Sequence, residues 1–168
     1  MPLWVKVREV MVPAAEFPAL REDADVLVAF RILHEHYHSK GREGGWEGFQ
    51  SALVYDRRGK AVGILTLRGL LRALELQDLL ETLLKSDPAA LFFLPGCWQR
   101  QYIPVKEVMR PLGVAYVSEE AALWEAALVM LKKRVNSVPV LAGGELRGVV
   151  RTVDIFWLIG EILEDMVK

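Results

Sequence analysis

Val7-Arg8-Glu9-Val10-Met11-Val12-Pro13 returns later in the chain as Val105-Lys106-Glu107-Val108-Met109-Arg110-Pro111. Basic, acidic, valine, methionine and proline residues hold matching places in the two stretches. A repeated pattern means a repeated unit, and it fixes architecture more firmly than local propensity does. The likeness continues outward. Each stretch is followed by a short apolar run (17–20, then 114–117), by acidic residues, and by a segment with helical periodicity. In the second copy Ser118 is placed to cap, and Glu119 and Glu120 sit where a helix dipole favours anions. Leu123, Ala127, Met130 and Leu131 form one predicted apolar stripe. The first copy offers Glu22, Asp23, Val26, Phe30 and Leu33 in the same order.

After each predicted helix come two β-rich runs about a turn. They are 52–55 and 61–65 around Arg57-Arg58-Gly59-Lys60, then 138–141 and 146–150 around Gly143-Gly144. Each hairpin runs into a closing helix. Ile155, Leu158, Ile159, Ile162, Leu163 and Met166 share a face of the second, which the periodicity predicts to be buried; Leu67, Leu70, Leu71 and Leu74 open the first. Each copy therefore reads as strand, helix, strand, strand, helix: an α+β fold with small mixed sheets of α/β type. A unit of roughly 50–60 residues buries too little surface to be comfortably stable alone, so two copies are expected to pack sheet to sheet.

The expected division is residues 1–76 for repeat 1, with an insertion at about 34–50, then 77–101 for a connecting helix and segment, then 102–168 for repeat 2. In the middle segment Leu79, Leu80, Leu83 and Leu84 extend a helix, and Pro88, Pro95 and Gly96 end regular structure. Its Leu91-Phe92-Phe93-Leu94 and Trp98 are expected to pack on the body rather than face water.

A length of 168 residues holds one compact domain or two half-size repeats. With 52% hydrophobic and 26% charged residues the composition is that of a folded chain. A net charge of −1, from 21 basic and 22 acidic residues, supplies no field to attract nucleic acid or an anionic membrane. Cys97 is the single cysteine, the N-terminus lacks a signal peptide's apolar centre, and Glu161, Glu164 and Asp165 interrupt the apolar C-terminus. The expectation is a cytoplasmic protein with no membrane-spanning segment.

The Val-X-X-Val-Met-X-Pro motif, the hydrophobic-Pro-Val strand at Val138-Pro139-Val140 and the Gly-Val-Val-X-X-X-Asp hairpin exit from Gly148 to Asp154 resemble the cystathionine-β-synthase (CBS) domain. The resemblance implies tandem repeats about a pseudo-twofold axis, the Bateman module. It also implies a stand-alone regulatory or sensor protein that catalyses nothing. Such a module binds an adenosine-containing ligand (AMP, ADP, ATP or S-adenosylmethionine) in a cleft between the repeats, and the ligand shifts their relative orientation. In that family a helix N-terminus and a Thr or Ser hydroxyl receive phosphate. An Asp three residues on accepts hydrogen bonds from both ribose hydroxyls. Adenine lies between apolar strand residues and the Met-X-Pro segment of the repeat.

Carried onto this sequence, the ligand-binding candidates are Asp154, Arg151, Thr152, Val138, Pro139, Thr66, Met11 and Pro13. Copy two keeps Asp154 but has Arg151 where the hydroxyl belongs, with Thr152 one place late; copy one keeps Thr66 but has Gly69 where the carboxylate belongs. Copy two is the better candidate, since Arg151 can hold phosphate in bidentate fashion, and it can equally fill the pocket itself. A ligand-free structural or protein-interaction module of the same fold is the alternative reading.

Other features carry less. His34 and His38 are four apart and can face a metal together, but histidines also suit a helix C-terminus stopped by Gly41, and no metal site is expected. Cys97 has no activating partner in sequence. Gly41-Arg42-Glu43-Gly44-Gly45 lacks the ending of a phosphate loop, and Trp46 and Phe49 are expected to dock that loop back on the body. Phe156-Trp157 widens the apolar face of the last helix beyond a single core stripe, which points to a homodimer through helices, with any protein target unknown.

Overall fold

The computed structural model describes residues 4–37, 49–73 and 102–167. The readings on His38, on most of the copy-one insertion and on the middle segment with Cys97 and Trp98 lie outside them. Along the chain run α1 (Val7–Val10), β1 (Val12–Pro13), β2 (Ala19–Arg21), α2 (Val26–Tyr37), β3 (Ser51–Tyr55), β4 (Ala61–Thr66) and α3 (Leu67–Ala73). Then come α4 (Val105–Val108), β5 (Arg110–Pro111), β6 (Val117–Ser118), α5 (Leu123–Lys133), β7 (Ser137–Ala142), β8 (Glu145–Arg151) and α6 (Thr152–Val167). Among the described residues each copy has the strand, helix, strand, strand, helix order that the sequence predicts, with the first strands starting at Ala19 and Val117, two and three residues later than expected.

Two compact units result, Met1–Phe17 with Pro111–Lys168, and Pro18–Arg110. In the first, the strands lie in the order β1-β8-β7-β6, with β6 parallel to β7 and the other neighbours antiparallel. In the second the order is β2-β3-β4-β5, with β2 parallel to β3 and β3 antiparallel to β4. Two consecutive strands form a hairpin and a third returns through a helix, which is why both sheets are mixed.

The fourth strand of each sheet is the element that sequence periodicity did not assign. Strand β1, from the first Met-X-Pro motif, pairs with β8 of the second copy's hairpin, Val12 opposite Val149 and Pro13 opposite Gly148. Strand β5, from the second motif, lies beside β4 of the first. A two-residue strand has no alternation to read, so its partner cannot be chosen from sequence. Backbone bonds fix the crossing. Val7 N–H donates to Ala121 O at 2.8 Å and Leu123 N–H to Val5 O at 2.9 Å; Val105 N–H donates to Ala24 O at 2.8 Å and Val26 N–H to Ile103 O at 2.9 Å.

Val7 is fully buried in a core with Val117, Leu123, Ala126, Met130, Val138 and Val150. Val105 is fully buried in its counterpart with Leu20, Val26, Ala29, Leu33 and Leu65. The inner helix faces are therefore Val26-Ala29-Leu33 and Leu123-Ala126-Met130, at i, i+3 and i+7. This corrects the predicted stripes, because Phe30 is 46% and Leu131 77% exposed. Successive residues of a helix turn by about 100°, so Phe30 after Ala29 and Leu131 after Met130 fall off the inner face. On α6 the predicted stripe is also only partly buried: Ile155 is in the core and Leu158 packs against it, while Ile159 and Leu163 are exposed.

The β7–β8 turn has Gly143 and Gly144 at φ 58° and 81°, the left-handed pair that a two-residue hairpin loop demands. Elsewhere glycine serves close approach. A Cβ on Gly148 would sit 2.5 Å from the Val12 carbonyl oxygen and 3.0 Å from Met11 Sδ. On Gly63 it would sit 2.5 Å from Met109 Sδ and 3.0 Å from the Arg110 carbonyl oxygen. The two methionines thus lie in like surroundings, each against the glycine of the opposite copy's hairpin.

Gly148→Ala should force β1 away from β8 and destabilise the protein by about 1–3 kcal/mol. Gly63→Ala should cost less, because its tightest neighbour is a flexible thioether rather than backbone. Denaturant unfolding of both variants checks the order.

Lys6 and Arg8, flanking the start of α1, both pair with Glu120. The Lys6 hydrogen bond foremost, with Arg8 adding its charge, holds the Glu120 carboxyl below its ordinary value. A depressed folded pKa contributes stability above the unfolded value and loses it as pH falls through the folded one. Stability should therefore decline with acid below about pH 5, and Glu120→Gln should flatten that part of the stability curve measured by thermal unfolding.

Candidate functional site

Helix α6 begins at Thr152, directly after strand β8, so the residues that end the hairpin also open the helix. Four N–H groups at a helix start need partners. Asp154 supplies one acceptor, since its Oδ2 takes the Arg151 backbone N–H at 2.8 Å. That is the half of a capping box in which a carboxylate in the first turn reaches back. The Arg151 side chain folds onto the same group, with Nε 3.1 and 3.0 Å from the two oxygens and Nη2 2.5 Å from Oδ1. The Arg151 and Asp154 side chains are 20% and 11% exposed.

Thr152 faces elsewhere. Its N–H and hydroxyl both donate to the Asn136 carbonyl, at 2.9 and 3.1 Å, which ties the helix start to the residue that precedes β7. Val138 is fully buried in the core beside its cross-strand partner Val150, so it offers no open wall. Pro139 alternates to the other sheet face, opposite Val149, which is paired on its far side with Val12. Met11 packs against the same core and touches the space above Gly148. Thus Met11, Pro13, Val138, Pro139, Arg151, Thr152 and Asp154 belong to one unit, although they come from both copies of the sequence. The Met-X-Pro segment in the unit that holds Asp154 is the first copy's.

Thr66 belongs to the other unit. Its Oγ1 accepts the Gly69 N–H at 3.1 Å, the hydroxyl half of a capping box on α3. Gly69 stands where the carboxylate would be, and a Cβ there would meet the Val108 carbonyl oxygen at 3.4 Å, an ordinary contact. A cavity of about 530 Å³ opens beside it, lined among others by Arg72, Glu107, Val108 and Met109. Sequence reasoning did not single out Arg72 or Glu107, because the cavity depends on α4 lying against α3 across a long chain separation. Burial lowers the pKa of nearby Arg110 from the usual arginine value.

His36 Nδ1–H donates to the Ile32 carbonyl at 2.8 Å and His34 stacks on Phe30, so both rings have structural contacts on α2. Among the described residues, no group of three His, Cys, Asp or Glu side chains is placed to hold a metal, and no helix is long and apolar enough to cross a membrane.

The family model for the CBS domain matches residues 7–76 and 105–161. This chain belongs to the CBS domain family. It is similar, at 20% identity and TM-score 0.62, to CBSX2 in complex with AMP, over 94% of this chain and 97% of that one. It is also similar, at 20% identity and TM-score 0.64 over the same shares, to the CBS domain pair of protein MJ0100 in complex with 5′-methylthioadenosine and S-adenosyl-L-methionine. A curated relative is the A-adding tRNA nucleotidyltransferase of Aquifex aeolicus, 28% identical over 137 residues. The match takes in 80% of this chain but only 14% of that enzyme's length.

Thr66→Ala should remove the α3 cap and cost about 1 kcal/mol in denaturant unfolding. Thr66→Ser should restore most of it, which distinguishes a lost cap from a packing defect.

Proposed function

We propose that this chain is a regulatory CBS-pair module that binds an adenosine-containing ligand beside Asp154 in the first unit. The observation that carries the reading is the Arg151–Asp154 pair at the start of α6, in the unit where β1 pairs with β8 and Gly148 lies bare against Val12 and Met11. A carboxylate suits a ribose diol, and a guanidinium at a helix N-terminus suits an anion. Two fold relatives hold AMP, and 5′-methylthioadenosine with S-adenosyl-L-methionine, as their descriptions state. The role is sensing rather than catalysis. The tRNA-adding activity of the Aquifex relative belongs to a protein of which this chain matches a small part. The lone cysteine suits a reducing cytoplasm.

A second copy of this chain is the partner we propose for α6, whose Phe156 and Trp157 are 67% and 65% exposed beside exposed Val153 and Leu163. Aromatic side chains of this kind anchor interfaces, and twofold dimers are the commonest assemblies. A ligand-free interaction module is the second reading, favoured because Thr66 and Asp154 each already serve a helix cap.

Thermal unfolding with AMP, ADP, ATP and S-adenosylmethionine separates the two. Ligand at 100 times its dissociation constant adds about 2.7 kcal/mol and should raise the melting temperature by roughly 5–10 °C. Asp154→Ala should abolish the rise. A melting temperature unmoved by all four compounds would leave the interaction module standing.

A further inference from the structure

The cavity of about 530 Å³ lies wholly in the second unit, and its volume is in the range of small-molecule sites. Helix α3 contributes Gly69 and Arg72 to its lining, and the segment carrying α4 contributes Ile103, Glu107, Val108 and Met109. Ile103, Val108 and Met109 are half-buried and pack against the core of this unit. Arg72 and Glu107 are exposed, and among the described residues neither side chain makes an ion pair, with the other or with a third group. Opposite charges that line one cavity without neutralising each other leave two places for counter-charges. Gly69 stands inside α3, where glycine weakens a helix. A Cβ there would meet nothing closer than the Val108 carbonyl oxygen at 3.4 Å. No close approach demands the glycine, so what its missing side chain provides is open cavity wall.

A simple anion drawn to Arg72 meets the like charge of Glu107, and a simple cation drawn to Glu107 meets that of Arg72. A nucleoside phosphate finds no carboxylate for its diol at Gly69 and brings net negative charge to a lining whose own two charges cancel. A compound carrying both charges satisfies each in turn: a carboxylate matches the guanidinium fork, and an ammonium matches the carboxylate. Arg72 and Glu107 are long side chains held by no other ion pair, so both can converge on one small zwitterion. An apolar group on that zwitterion would cover Ile103, Val108 and Met109 and take their remaining surface out of water. We propose that this cavity binds an apolar α-amino acid, with its carboxylate on Arg72, its ammonium on Glu107 and its side chain against the three apolar residues. The inference stands apart from the adenosine reading, which concerns the first unit.

Titration of the isotope-labelled full chain, followed by two-dimensional NMR, tests it with leucine, methionine and phenylalanine as probes. Backbone amides in 69–72 and 105–109 should shift. Leucine should bind at least roughly tenfold more tightly than N-acetyl-leucine, which lacks the ammonium, or leucinamide, which lacks the carboxylate, the scale of one charge-assisted contact. Glu107→Gln should close the gap between leucine and N-acetyl-leucine, and Arg72→Gln the gap between leucine and leucinamide, each leaving the other gap in place. Both substitutions fall on exposed side chains, and the two blocked compounds test the wild type whether or not a variant folds. Equal binding of all three leucine compounds would overturn the recognition of a zwitterion. So would unmoved amides with every amino acid at millimolar concentration, or shifts confined to the first unit. AMP moving the same amides at lower concentration than leucine would make the cavity a nucleotide site and overturn the proposal as well.

Discussion

Val7 and Val105 are each fully buried, and each lies in a core whose other members come from the opposite copy of the repeat. A core short of one fully buried valine loses on the order of 1.5–3 kcal/mol of hydrophobic stabilisation. Neither copy can therefore complete its own core from its own sequence. The backbone enforces the same crossing, since the first turn of each short helix donates to carbonyls that precede the opposite copy's long helix. The bare glycines opposite Met11 and Met109 follow from this arrangement. The crossing strand approaches so closely that a single methyl group would press on carbonyl oxygen or sulfur.

The candidate site inherits its form from that crossing. Asp154 and Arg151 arrive on the hairpin exit of the second copy, whereas Met11 and Pro13 arrive from the start of the chain, and only the β1–β8 pairing joins them. The Thr-X-X-Asp pattern also has a structural meaning apart from any ligand. It has the spacing of a capping box, hydroxyl at the cap and carboxylate three residues later. This chain keeps one half in each copy: Thr66 caps α3 without a carboxylate, and Asp154 caps α6 without a hydroxyl. Each half serves its own helix start.

The helices divide their surfaces unevenly. An alanine sits at the centre of the buried face of both α2 and α5, while Phe30 and Leu131, one position past Ala29 and Met130, are exposed. Among the described side chains of α6, Ile155 and Leu158 reach the core, and the aromatic pair Phe156–Trp157 stands on the outside in an edge-to-face arrangement. The dimer proposed for α6 rests on these exposed apolar side chains.

The duplicated Val-X-X-Val-Met-X-Pro motif, the two hairpin turns and the element order were legible in the sequence, because they rest on local chemistry. Glycine pairs set turn handedness, apolar spacing sets helix or strand, and a repeated pattern repeats a unit. The chemistry of the candidate site was legible to the same depth, down to the exchange of a hydroxyl for Arg151 and of a carboxylate for Gly69. Tertiary structure alone decided which copy's methionine shares a unit with Asp154, which helix face is inner, and that Arg151 closes on Asp154. Those outcomes depend on contacts between residues far apart in the chain or on a rotamer chosen by burial. A two-residue strand or a one-residue rotation of a helix leaves no periodic trace in the sequence from which they can be read.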